Sequence, residues 1–178
     1  NGVLRGLHRV KTPDGYRVTA ANSRLHTADG TVSVYDGKFY IYSFSMDKTP
    51  PHRICAASQE ATAFAVTGDG TPLAYVEHIP LHNEWRLYIN ATPTGKDQHF
   101  QFAYSVKDPV SLPEMVGVGR DGLSVVVYFD KGDYEGQFRE ISADGKISDP
   151  LDPQATLDRD ALFHPVTRRL AGFRYYDD

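Results

Sequence analysis

Apolar and polar positions alternate along this chain in short runs, and the runs come in pairs joined by tight turns. Ala63-Phe64-Ala65-Val66 leads into Gly68-Asp69-Gly70 and out into Leu73-Ala74-Tyr75-Val76; Val116-Gly117-Val118 leads into Asp121-Gly122 and out into Val125-Val126-Val127-Tyr128. The same layout surrounds Asp14-Gly15, with Tyr16-Arg17-Val18 beyond it, and Val166-Thr167, between Leu162-Phe163 and Leu170. Period-two alternation predicts half-buried strands. Asp-Gly between two such runs predicts a hairpin, because the turn needs positive φ and Gly supplies it without steric cost.

The four turns are spaced by 55, 52 and 45 positions. Each is followed by a second strand pair. Trp85-Arg86-Leu87-Tyr88-Ile89 and Phe100-Gln101-Phe102-Ala103-Tyr104 flank Thr92-Pro93-Thr94-Gly95, while Phe138 and Ile141 precede Ala143-Asp144-Gly145, with Ile147 beyond it. In the first unit Val32 and Val34 precede Asp36-Gly37, and Phe39-Tyr40-Ile41-Tyr42 follows. A fixed spacing of this size marks a repeat architecture. Four strands per unit, with connectors at Pro50-Pro51, Pro109 to Pro113 and Pro150 to Pro153, predict an all-β fold: a β-propeller segment of about three and a half four-stranded blades. The alternative is a two-sheet β-sandwich, which strand spacing alone does not separate from it. The expected organisation is one β domain over 1–178, part of a larger propeller, with repeats at approximately 7–50, 58–108, 112–152 and 158–178, the last incomplete. A half blade leaves open sheet edges, which implies a longer polypeptide, self-association through those edges, or the sandwich.

Composition agrees. The chain has 178 residues, 40% of them hydrophobic and 24% charged, within the range of a globular domain. Its 11 Tyr and 9 Phe, with Trp85, favour strands. A net charge of -4 argues against a partner bound through phosphate neutralisation, so no nucleic acid is expected. The longest apolar runs fall far short of the roughly 20 residues of a membrane-spanning helix. Cys55 is the one cysteine and allows no internal disulfide. Asn1 is not an initiator Met and is compatible with a removed leader, so the compartment stays open between cytoplasm and periplasm or secretion. Asn90-Ala91-Thr92 fits a glycosylation sequon, a short pattern that arises often by chance.

Candidate chemistry is sparse. There is no G-x-S-x-G nucleophile elbow and no phosphate-binding P-loop, so no catalytic residue is assigned and no cofactor is expected. Gly117, Gly119 and Gly122 match a dinucleotide pattern, yet they run from strand to strand and read as turn and close-packing positions. His78 and His82 have the spacing of zinc ligands on a helix, but Pro80 between them opposes that helix and leaves a loop between two strands. No metal site is assigned. Asp130, Asp133 and Glu135 crowd one loop without the spacing of a calcium loop and read as a solvated turn. Asp149 with Asp152, or Asp158 with Asp160, are carboxylate pairs whose separation in space decides their use in glycoside hydrolysis. Arg168 and Arg169 would point to opposite faces of a strand. Trp85 is either a platform for a sugar or peptide ring or a core residue, with the core favoured. The candidate binding set is His78, His82 and Trp85, on loops at one end of the sheets.

The stretches Ala63 to His78 (AFAVTGDGTPLAYVEH), Val116 to Leu151 (VGVGRDGLSVVVYFDKGDYEGQFREISADGKISDPL) and Leu162 to Asp177 (LFHPVTRRLAGFRYYD) resemble the N-terminal propeller of bacterial peptidases of the prolyl oligopeptidase type. The likeness covers about two thirds of the chain and is weakest before about Ser58, and its motifs are general to propellers. The resemblance implies a propeller that restricts and positions peptide substrates for a C-terminal α/β-hydrolase domain carrying the catalytic serine. This chain lacks that domain's motifs, and it lacks the paired glutamates in a helical insertion with which some members hold a substrate's amino terminus. The rival function is a free-standing binding module for carbohydrate or another small ligand, built on Trp85, Tyr134 and Tyr175; a glycosidase on a propeller would require carboxylates converging at the central channel.

Overall fold

The structure is a computed structural model that describes residues 5–12, 15–22, 39–45, 52–58, 60–93, 98–152 and 158–176. Thirteen strands are described, with one short 3-10 turn at Pro80–His82 and no α-helix. The first sheet is β1 (Arg5–Thr12), β2 (Gly15–Asn22), β3 (Phe39–Ser45) and β4 (His52–Ala57), and the second is β5 (Ala61–Val66), β6 (Pro72–Ile79), β7 (Glu84–Asn90) and β8 (Phe100–Lys107). The third is β9 (Glu114–Val118), β10 (Val125–Phe129) and β11 (Gln137–Ile141), and the fourth is β12 (Arg159–Phe163) and β13 (Leu170–Tyr175). Every pairing within these sheets is antiparallel, and strands neighbour one another in chain order. The fold is all-β.

Two details refine the strand reading. Phe39–Ser45 is the third strand of its sheet and His52–Ala57 the fourth, while Val32, Val34 and the Asp36-Gly37 turn lie outside the described residues. In the third sheet the expected fourth strand is reduced to a bridge between Ile141 and Ile147.

The turns form as their residues dictate. In three of them a Gly at positive φ, Gly70 (91°), Gly122 (79°) and Gly145 (80°), follows an Asp whose carboxylate accepts a backbone N–H two residues on. The turn at Val166-Thr167 does without both. His164 Nδ1 accepts the N–H groups of Val166 and Thr167 at 3.2 and 3.1 Å, and Arg168 takes the left-handed conformation with φ 62°. Of the Asp14-Gly15 turn only the flanks are described, with Thr12 paired to Gly15.

Packing follows the alternation. Ile41 and Ala57 of the first sheet meet Ala61, Phe64 and Val66 of the second. The other face of the second sheet, with Ala65, Ala74, Trp85, Leu87 and Ile89, packs on Val118, Val125, Val127, Phe129 and Ile141 of the third. The third sheet's far face, with Val126 and Phe138, takes Leu170 and Phe173 of the fourth. The sheets are therefore layered in chain order with three interfaces between them, where a two-sheet sandwich has one. The leading strands also touch in succession, β1 to β5, β5 to β9 and β9 to β12. This succession fits consecutive blades of a propeller as well as stacked sandwich layers.

Cys55 on β4 packs against the first of these interfaces, and burial pushes its thiol up to about 12. Since the thiolate is the nucleophile, iodoacetamide at pH 8 is expected to alkylate Cys55 in the folded chain roughly two orders of magnitude more slowly than in denaturant, read by mass spectrometry. Equal rates would show that the thiol is not desolvated.

Candidate functional site

The first hairpins of the second, third and fourth sheets, β5 to β6, β9 to β10 and β12 to β13, come together at one end of the layers. They enclose a cleft of about 390 Å³ lined by Thr67, Gly68, Asp69, Leu123, Val166 and Arg169, with Thr71, Pro93, Gly122 and Thr167 completing the wall. That volume falls within the range of small-ligand sites. The repeated turns that mark the sequence are thus the walls of the cleft.

Glycine makes the convergence possible at two places. A Cβ on Gly68 would strike the Val166 carbonyl and the Thr167 backbone, so the second and fourth hairpins meet main chain to main chain. At Gly122, a Cβ would lie 2.6 to 2.8 Å from Nε, Nη2 and Cζ of Arg169, so the guanidinium rests directly on the turn glycine. Arg169 is held by its main chain: its carbonyl accepts the His164 N–H at 2.9 Å, and a parallel bridge joins it to Val118.

The carboxylates at the cleft brace their own turns. Asp69 accepts the Thr67 hydroxyl and the Thr71 N–H, at 3.1 Å for the latter. Asp121 Oδ1 accepts the N–H groups of Leu123 and Ser124, both at 2.8 Å, and the Ser124 hydroxyl at 2.7 Å. Burial alone would raise the Asp121 pKa, but these donors and the Arg169 charge outweigh it and hold the carboxyl below its ordinary value. A folded-state pKa depressed in this way adds stability above the unfolded value, and that stability is lost as pH falls through the folded value. Replacing Asp121 with Asn is therefore expected to lower urea-unfolding stability at pH 7 and to narrow its difference from the parent as pH drops below about 4. A difference that stays constant with pH would show that the carboxylate charge is not what braces the turn.

A second, more polar cleft of about 550 Å³ opens between the third and fourth sheets, along Glu114, Tyr128, Asp158, Asp160 and Phe163. Asp160 is paired there with Arg174 at 2.8 Å and with the Tyr176 hydroxyl. Arg159 also lines this cleft and forms an ion pair with Asp152, their side chains 6% and 0% exposed. The Tyr175 hydroxyl donates to Asp152 at 2.6 Å, and Arg159 also donates to the Gly136 carbonyl and lies over the Phe138 ring.

The residues singled out from sequence are dispersed. His78 and Trp85 are cross-strand partners on β6 and β7, at the end of the second sheet opposite the hairpin cleft. Trp85 is 2% exposed and belongs to the core, which leaves its ring unable to serve as a platform. His78 is half-buried, and its Nε2 has no hydrogen-bond partner among the described residues. His82 is exposed on the 3-10 turn. Among the described residues, no three His, Cys, Asp or Glu side chains gather where they could hold a metal ion. Tyr134 packs edge-on against Phe129 and lies under Arg139, and Tyr175 is engaged by Asp152.

The remaining motifs resolve into structure. Gly117 passes beneath Phe163 and Gly119 beneath Ser124, which explains the first two glycines of the dinucleotide-like pattern. Asn90 of the sequon is 1% exposed; its amide donates to the Pro72 carbonyl and to Gln98, and its oxygen accepts from Thr92 and His99, so its side chain is fully occupied. In the acidic loop Lys131 pairs with Glu135 at 2.6 Å. No helix among the described residues is long and apolar enough to cross a membrane. Sequence reasoning missed the Arg169 cleft and the Asp152–Arg159 pair; the only signal for the cleft was the recurrence of the turns.

No protein-family model matches this chain, and neither a curated protein nor a solved structure matches it.

Proposed function

We propose that this chain is the non-catalytic propeller portion of a prolyl oligopeptidase-type serine peptidase, restricting and positioning peptide substrates for an α/β-hydrolase domain encoded elsewhere in the same polypeptide. The observation that carries the reading is the succession of antiparallel sheets layered in chain order with their leading strands adjacent. It is supported by the family-like stretches around the Asp69, Asp121 and Val166 turns, and those same turns line the hairpin cleft. In such an arrangement the blades act by size: they admit short peptides and exclude folded chains.

The test is to express the full reading frame containing this chain beside residues 1–178 alone. The full product is expected to hydrolyse short chromogenic peptides, to lose that activity to a serine-directed fluorophosphonate, and to spare folded proteins. The isolated chain is expected to be inactive. Inhibitor-sensitive turnover by the isolated chain, or a full product with no peptidase activity, would overturn the proposal.

A further inference from the structure

Among the residues lining the hairpin cleft, Arg169 is the one cation. Its guanidinium forms no ion pair or hydrogen bond with any described side chain, although its field helps to depress the nearby Asp121. The oxygen through which Asp121 acts is already shared by two backbone N–H groups and a hydroxyl. Arg169 is exposed, so its side chain is open to a partner from solvent. Its main chain is bonded to His164 and bridged to Val118, and its planar head is seated on Gly122, where any Cβ would collide with it. A planar guanidinium fork is pre-organised in its own geometry, so less entropy is lost per hydrogen bond when it takes a two-point partner.

The surroundings define that partner. Leu123 and Val166, each about half exposed, and Pro93 present apolar surface beside the guanidinium. The acid of the cleft, Asp69, is turned to its own hairpin by Thr67 and Thr71. A guanidinium fork matches a carboxylate through two parallel hydrogen bonds, and the adjoining apolar wall favours an aliphatic substituent on it. We infer that the cleft binds a small carboxylate bearing a short aliphatic side chain, the chemistry shared by a free branched-chain acid and the C-terminal residue of a peptide. Arg169 takes the carboxylate, and Leu123 and Val166 cover the side chain. This inference stands on the cleft and does not rest on the peptidase reading.

The test is a titration of the ¹⁵N-labelled 178-residue chain with N-acetyl-L-leucine, N-acetyl-L-leucinamide and isovalerate, followed by amide chemical shifts. N-acetyl-L-leucine is expected to give saturable shifts centred on Gly68, Leu123 and Thr167, with the uncharged amide at least about tenfold weaker. Arg169→Gln is expected to weaken N-acetyl-L-leucine by a similar factor while leaving distant amides unmoved, and Arg169→Lys to fall between. Leu123→Glu, at an exposed position, is expected to weaken binding by charge repulsion and serves if the arginine variants fail to fold. Isovalerate binding as tightly as N-acetyl-L-leucine identifies a free acid as the ligand; isovalerate binding more weakly identifies a peptide C-terminus, and both support the site. Absence of saturable shifts, equal binding of acid and amide, or undiminished binding by Arg169→Gln or Leu123→Glu would overturn it.

Discussion

Replacing Arg159 with Met is expected to destabilise the chain by about 3–5 kcal/mol, because it leaves the Asp152 carboxylate buried without its cation. The side chains of both residues are almost wholly removed from solvent, and the pair joins the segment after the third sheet to the first strand of the fourth. Arg159 has further duties, donating to the Gly136 carbonyl and covering Phe138, so its loss also leaves a partly buried carbonyl short of a donor. Equilibrium urea unfolding is the measurement. The double variant Asp152→Asn, Arg159→Met is expected to recover a large part of the loss, since the uncompensated charge is then gone. Loss of less than about 1 kcal/mol in the single variant would mean that water reaches the pair.

Trp85→Ala is expected to cost a further 3–5 kcal/mol, roughly the range for truncating a large aromatic in a packed core. Trp85 lies in the core between the second and third sheets, in one cluster with Leu87, Val106 and Phe129. The same variant weighs the carbohydrate reading: a ring used as a binding platform could be removed at little structural cost. Trp85 is also the one tryptophan of the chain, so intrinsic fluorescence reports on this position alone. Native emission to the blue of the unfolded state, shielded from acrylamide, is expected; quencher access equal to that of free tryptophan would place the ring in solvent.

The parts of the fold legible in the sequence were those governed by neighbours in the chain. Asp69-Gly70, Asp121-Gly122 and Asp144-Gly145 announce turns because the carboxylate and the positive φ act within a few residues. The turn at Val166 was found by its place in the repeat, and its chemistry, a His164 ring nitrogen with Arg168 in the left-handed region, carries no such signature. The candidate site was hardly legible. His78, His82 and Trp85 stood out as residue types, yet whether a tryptophan on a strand faces solvent or another sheet is set by layers that the strand itself does not encode. Arg169 reaches Gly122 only because two sheets meet face to face, and its neighbour Arg168 is in a turn where strand alternation does not apply. Asp152 and Arg159 were likewise invisible as a pair: the sequence set Asp152 beside Asp149 as a carboxylate pair and gave Arg159 no partner, and it is the fold that brings the two together, with Tyr175 on Asp152 and Phe138 under Arg159.

Along β10 the side chains of Val125 and Val127 face the second sheet while Val126 between them faces the fourth, and all three are fully buried. Adjacent positions therefore belong to separate mechanical joints. A Val126→Ala change and a Val127→Ala change subtract from different contacts, so their effects should come closer to summing than those of Val125 and Val127, which answer to the same partner layer. Walking alanine along this one strand thus works as a two-channel strain gauge, reading the grip on each neighbour in turn without disturbing the other.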